Sequence, residues 1–158
     1  MPTIATIGVY GHDADSFLAA LAGAEVSLVL DVRQRRGVRG SEYAWANAKR
    51  LQDALAAAGI GYTHVKELAP STELRELQYR ADDRRGEGKR SRSVLAPEYV
   101  QRYEAEILGG AELEPLVNWI GAGKAALLCV ERDPEACHRS LIAARLRRDY
   151  GFAVEDLR

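Results

Sequence analysis

Aromatic residues are scarce in this 158-residue chain, at 7% with only two Phe. Packing therefore falls to Leu, Val, Ile and Ala, within a hydrophobic fraction of 47% that is ample for one core. Long apolar runs are missing too. The longest, Ala125 to Val130, is far below the roughly 20 residues that cross a bilayer, so no membrane partner is expected. The N-terminus lacks the basic flank and apolar stretch of a secretory leader and enters a strand pattern at once, so the expected location is the cytoplasm. Cysteine is limited to Cys129 and Cys137, too few for a disulfide framework and in keeping with a reducing compartment. No internal repeat and no linker divides the chain, and residues 1–158 are expected to form a single domain.

A strong net charge is also absent, but the balance of −1 hides an asymmetry. Residues 33–39 and 84–92 together hold nine basic residues and one acid, Glu87, leaving 13 basic against 22 acidic residues elsewhere. Positive charge gathered on an otherwise acidic body suits a local anionic ligand better than whole-surface binding to nucleic acid. Solvated surface loops are the plain alternative.

The pattern along the chain alternates strands and helices. Thr3–Val9 reads as a strand, followed by a helix capped by Asp13 or Asp15 and stopped by Gly23. Val26–Val32 is nearly all apolar, as in a strand covered on both faces. Trp45, Ala48, Leu51, Leu55 and Ala58 keep helical spacing, so a helix is expected from about Ala46 to Ala58, before a third strand at Ile60–Val65. Ser71 or Thr72 can cap a further helix reaching about Arg85. Residues 86–93 combine glycine, serine and basic side chains with no apolar anchor, and 84–96 is expected to be a mobile basic loop. Pro97 opens another helix, and one more follows at Glu112–Ile120. The fourth strand is Ala125–Val130. Asp133-Pro134 then starts a helix expected to run unbroken to Asp149, with a last strand at Ala153–Leu157. The expected fold is α/β: a single Rossmann-like domain, with a mostly parallel sheet of about five strands and helices on both faces. Ligands of open α/β sheets bind beyond the carboxyl ends of the strands.

Three segments fall there. The sharpest is Cys129-Val130-Glu131-Arg132-Asp133-Pro134-Glu135-Ala136-Cys137-His138-Arg139. A helix start favours an anion and a thiolate at Cys137. His138 titrates near neutral pH, and Arg139 offers a two-pronged grip on phosphate or carboxylate. Each also has a plain reading: Cys129 and Cys137 as core, His138 bonded to a carbonyl, Arg139 paired at the surface. The second segment is Asp31-Val32-Arg33, a charged pair closing an apolar strand, which is costly unless partnered. It reads either as ligand machinery or as an internal ion pair that fixes the loop. The third, Gly8 to His12, holds Gly8, Tyr10 and Gly11 in a tight turn that lets backbone approach a ligand. Without a third glycine it is no dinucleotide fingerprint, so no nicotinamide or flavin is expected. His64 ends the third strand and can reach the same crevice. Metal ligation is set aside, because the spacing matches no compact zinc signature and adjacent Cys137 and His138 should diverge on a helix. No metal and no cofactor is therefore expected.

Four stretches carry a resemblance: Thr6-Ile7-Gly8, Val29 to Arg33, Gly59 to His64, and Leu128 to Arg139. On them the chain resembles the domain of unknown function 488 family. The resemblance implies a small Rossmann-like α/β domain with no established general reaction. Many members continue the Asp-Val-Arg with proline and then Ser-Arg and an aromatic. Here Gly37 and Val38 replace that pattern, and Arg39, Ser41 and Tyr43 echo it. Leu68-Ala69-Pro70 stands where many members have a double glycine.

The expected function is binding or processing of a phosphate-bearing ligand, a nucleotide or a nucleic-acid end. Asp31, Glu131, Cys137 and His138 are the catalytic candidates. Gly8, Tyr10, Gly11, Arg33, His64, Lys89, Arg90, Arg92 and Arg139 are the ligand-binding candidates. Two alternatives stand beside it. One is a nucleotide- or DNA-binding module without turnover. The other is a thiol-dependent or sulfur-transfer enzyme, since the Asp-Val-Arg strand is similar to that of rhodaneses, although their loop of Cys, five residues and Arg is absent. Whether the protein is an enzyme is not legible at this level.

Overall fold

The computed structural model describes residues 2–121 and 123–158. The apolar runs become strands β1 Thr3–Gly8, β2 Leu28–Asp31, β3 Gly61–His64, β4 Ala125–Cys129 and β5 Ala153–Asp156. They join in one sheet, order β3-β2-β4-β1-β5, and every pairing is parallel. Parallel neighbours need crossovers. These are supplied by α1 Ala14–Gly23, α2 Ala48–Ala57, α3 Thr72–Arg84, α4 Pro97–Tyr103, α5 Glu114–Ile120 and α6 Arg139–Tyr150. The chain is thus a single Rossmann-like α/β domain, as its alternating pattern predicts.

Local chemistry sets several boundaries. Asp13 accepts from the Ser16 backbone N–H at 2.8 Å while its own N–H donates to the Ser16 hydroxyl at 3.1 Å, a reciprocal cap that starts α1. Ser71 Oγ accepts from Leu74 N and starts α3, and Pro97 occupies the first turn of α4. No described helix is long and apolar enough to cross a membrane.

Strand β4 lies at the centre of the sheet and is buried at every position, which requires apolar cover on both faces. Connections from β1 to β2 to β3 run one way across the sheet, and those from β3 to β4 to β5 run the other. Right-handed crossovers place the two sets of helices on opposite faces. Accordingly α2 lies against β3, and α6 lies against β1, β4 and β5. The reversal falls between β2 and β4, so the crevice opens where Asp31–Arg33 and Cys129–Glu131 leave the sheet.

Three expectations need correction. Strand β2 is shorter than Val26–Val32: it spans Leu28–Asp31, and Val32 N donates the last ladder bond, to Leu128 O of β4. Trp45 belongs to a 3-10 turn, Ser41–Ala46, that precedes α2. The unbroken helix from Pro134 does not form. Pro134–Ala136 is a 3-10 turn, Cys137 is extended (φ −138°, ψ 146°), and α6 begins only at Arg139. That break decides the geometry of the site.

Candidate functional site

The end of β2 is built as an internal ion pair. Asp31 Oδ1 accepts from Arg33 N at 3.1 Å and from Nε at 2.9 Å, while Oδ2 accepts from Nη2 at 2.8 Å and from the Tyr62 hydroxyl at 2.5 Å. Arg33 Nη1 donates to Ala46 O at 2.9 Å. Asp31 is fully buried and Arg33 is 2% exposed. Every carboxylate lone pair is engaged, so Asp31 is neither a cavity group nor the partner of His138. Two imidazoles brace the strand's exit. His138 Nε2 donates to Val32 O and His64 Nε2 to Arg33 O, both at 2.8 Å. A carbonyl only accepts, so each ring nitrogen there carries its proton. His64 therefore supports the loop and does not line the cavity.

The end of β4 is held just as tightly. Gly8 is required because a Cβ there would sit 2.0 Å from Glu131 O. The close approach expected at this glycine is thus made to the neighbouring loop. Val9 N and Tyr10 N both donate to Val130 O. Arg139 is fully buried. Its fork donates to Glu131 O at 2.7 Å and Arg132 O at 3.1 Å, so it fixes the β4 loop instead of presenting itself to an anion. Gly11 is exposed at the turn, with φ +91° and the Arg132 side chain alongside.

Above these supports lies a cavity of about 660 Å³. Of the sequence candidates, Tyr10, Arg33, Lys89, Arg90, Arg92, Glu131, Cys137 and His138 line it, whereas Asp31, Gly8, Gly11, His64 and Arg139 do not. The lining holds seven cationic residues, the others being Arg35, Arg39 and Arg75, against one acid, Glu131. Arg35, Arg39, Arg75 and Lys89 have no carboxylate partner among the described residues. Arg75 is aimed by hydrogen bonds to Gln34 Oε1 and the Tyr79 hydroxyl. Sequence reading misses Arg35, Arg39, Arg75, Tyr79 and Tyr99 as lining residues; Arg35 and Arg39 lie within the basic run 33–39, whereas Arg75 sits on α3 with no local mark.

Residues 84–96 form one wall. Arg92 is buried and donates to both Asp82 oxygens, to Glu131 Oε1 at 2.9 Å and to Ala136 O at 3.1 Å. This polar anchor takes the place of the apolar one that the composition lacks. Arg90 lies over the Tyr10 and Tyr43 rings, 5.3 and 5.2 Å from their centroids, and donates to Arg39 O. The segment thus reaches across to residues 39–43.

On the floor, the break at Cys137 turns its thiol toward the ring of His138. Nδ1 lies 3.6 Å from Cys129 Sγ and 3.7 Å from Cys137 Sγ. The expected divergence of Cys137 and His138 is therefore overturned, because the two do not share a helix. Burial pushes the Cys129 thiol well up, aided by its hydrogen bond to Cys137. Burial acts the same way on Cys137, but the Cys129 hydrogen bond and the charges of His138 and Arg139 outweigh it and hold that thiol well below its ordinary range. Burial lowers His138, and the facing Cys137 more than reverses this, so the imidazole is raised. Glu131 is raised by burial and by Cys137, against the pull of Lys89 and Arg92. Two sulfurs and a nitrogen thus meet at one point, with the chemistry of a nucleophile or of a soft-metal ligand set.

Sheet, crevice and cluster together define a small Rossmann-like α/β domain with a cationic cavity at its topological switch point. The chain belongs to the family described as domain of unknown function DUF488, whose sequence profile matches residues 13–146. No curated protein and no solved structure matches it significantly.

Proposed function

We propose that this protein binds a phosphate-bearing ligand, a nucleotide or a nucleic-acid end, in the cavity at the carboxyl edge of the sheet. The observation that carries the reading is the lining: seven cationic residues face one acid across about 660 Å³. That volume lies within the ordinary range for a small-molecule site. Four of the cations are uncompensated, and such charge at a concave surface is costly unless an anion joins it. Tyr10, Tyr79 and Tyr99 add aromatic surface beside the charges, which suits a base or sugar next to the phosphate. Arg33 and Arg92 fix the shape of the floor, and Arg35, Arg39, Arg75 and Lys89 make the phosphate contacts. Lys89, Arg90 and Ser91, on the outer side of the Arg92 anchor, close over the bound anion.

Titration of the protein with mixed nucleotides, inorganic phosphate and a short oligonucleotide at two salt concentrations tests this. Binding should weaken as salt rises, because each phosphate contact releases counterions. Joint replacement of Arg39 and Lys89 by Gln should lower affinity by about tenfold or more, the worth of one lost charged hydrogen bond or two. A protein that binds none of the three probes at low salt sinks the reading.

A further inference from the structure

We infer that Cys129, Cys137 and His138 form a site for one divalent transition metal ion of zinc type, with a fourth coordination position facing the cavity. The three ligating atoms lie within 4.8 Å of one another. The imidazole Nδ1 is 3.6 Å from one sulfur and 3.7 Å from the other. Tetrahedral zinc, with Zn–S about 2.3 Å and Zn–N about 2.0–2.1 Å, spaces sulfur and nitrogen about 3.6 Å apart. Both sulfur–nitrogen edges therefore match those of a tetrahedron around an ion-sized centre. A hydrogen bond accounts for one edge only, since the single lone pair of Nδ1 accepts from one thiol at a time.

The ring is oriented for this role. Val32 O holds the proton on Nε2, so Nδ1 is the nitrogen left to face the sulfurs. Donation of the far ring nitrogen to a backbone carbonyl is the usual supporting contact of a metal-bound imidazole. Packing fixes the side chains as well. Cys129, Cys137 and His138 are 5%, 1% and 4% exposed, and the Tyr103 ring lies 5.5 Å from that of His138.

The donor set selects the ion. Two thiolates and an imidazole suit zinc over magnesium or calcium, and two thiolates neutralise a dication. Glu131 Oε2 lies 3.5 Å from Cys129 Sγ, but the other oxygen is bound to Arg92, and this carboxylate is outside the converging group. Three protein ligands with an open fourth place is the pattern of a reactive zinc site, whereas structural sites are closed by four. All three residues line the cavity, so water or a ligand oxygen can reach that place. This assignment rests on the ligand geometry and is independent of what the cavity above binds.

The test uses the full chain purified under reducing conditions. Its metal content is measured by mass spectrometry. It is then stripped with a chelator and titrated with Co2+ and with Zn2+. The expected result is about one equivalent of zinc per chain. Co2+ should give thiolate-to-metal charge-transfer absorption and the strong visible bands of a tetrahedral site, both erased by Zn2+. Added Zn2+ should also raise the melting temperature of the unmodified protein, a readout that needs no variant. Cys129→Ser and Cys137→Ser should each remove roughly half of the charge-transfer absorbance, one thiolate of two. Circular dichroism identifies any variant that fails to fold, and His138→Gln, close in size, then replaces it. Folded, reduced protein that takes up neither metal overturns the inference. So does a cobalt spectrum unchanged in the double serine variant, or a Cys129–Cys137 disulfide whose reduction restores no metal binding.

Discussion

Arg33 and Arg92 at the floor of the cavity, with Arg139 buried behind them, and Arg35, Arg39 and Arg90 at its mouth are the same side chain under opposite conditions. The first three are buried, and each fork is spent on carboxylates or backbone carbonyls of this chain. The mouth arginines are exposed, and Arg90, the one with an acidic partner, pairs with Glu42 at the surface. Burial of a guanidinium costs several kcal/mol unless good geometry repays it, so a floor arginine is committed to shape. An exposed one stays hydrated and free to meet a ligand. A count of arginines in the sequence does not distinguish these roles; the accounting of their partners does.

The comparison breaks most visibly at Asp31. Asp31→Asn leaves the buried Arg33 charge without its counterion, and stability should fall by about 3–5 kcal/mol in urea unfolding. A loss of less than about 1 kcal/mol would mean that the pair behaves like a surface ion pair. Gly8→Ala should cost about 3 kcal/mol, since the Glu131 carbonyl must move aside and the Arg139 fork with it. A thermal melt unchanged from the parent would show that the β4 loop is not held there. The smallest effect belongs to the mouth. Arg39→Gln should change stability by no more than about 0.5 kcal/mol while measurably weakening phosphate binding. A large loss of stability from that change would dissolve the contrast between floor and mouth.

Much of this arrangement was legible in the residues. Alternation of apolar runs with helical spacing gave the parallel sheet, and the motif from Cys129 to Arg139 marked the crevice. The charged end of β2 was legible as two readings, of which the internal Asp31–Arg33 pair is the one that formed. The residues of the cysteine–histidine cluster are legible as possible ligands but their convergence is not, because Asp133-Pro134 is a strong helix signal and nothing local announces that the turn stops at Ala136. The anchor of residues 84–96 was hidden for another reason. Arg92 meets Asp82 ten positions back and Glu131 thirty-nine positions ahead, and pairings at such separations leave no period in the chain. The role of Arg139 is hidden because its two acceptors are main-chain carbonyls, which no side-chain pattern reveals.

The place of β4 in the sheet also bears on how the chain assembles during synthesis. Among the described residues, β1 pairs with β4 and β5 alone, and β2 with β3 and β4 alone. Until Ala125–Cys129 leaves the ribosome, the first strand has no partner, and the β2–β3 ribbon is a fragment with an open edge. The nascent chain thus carries two unfinished halves from the end of β3 to the end of β4, a topology of distant contacts that slows folding and prolongs exposure to aggregation. Insertion of one late strand joins both halves and delivers Cys129, with Cys137 and His138 following within nine residues. A truncated product that ends before β4 lacks the site and the seam of the sheet together.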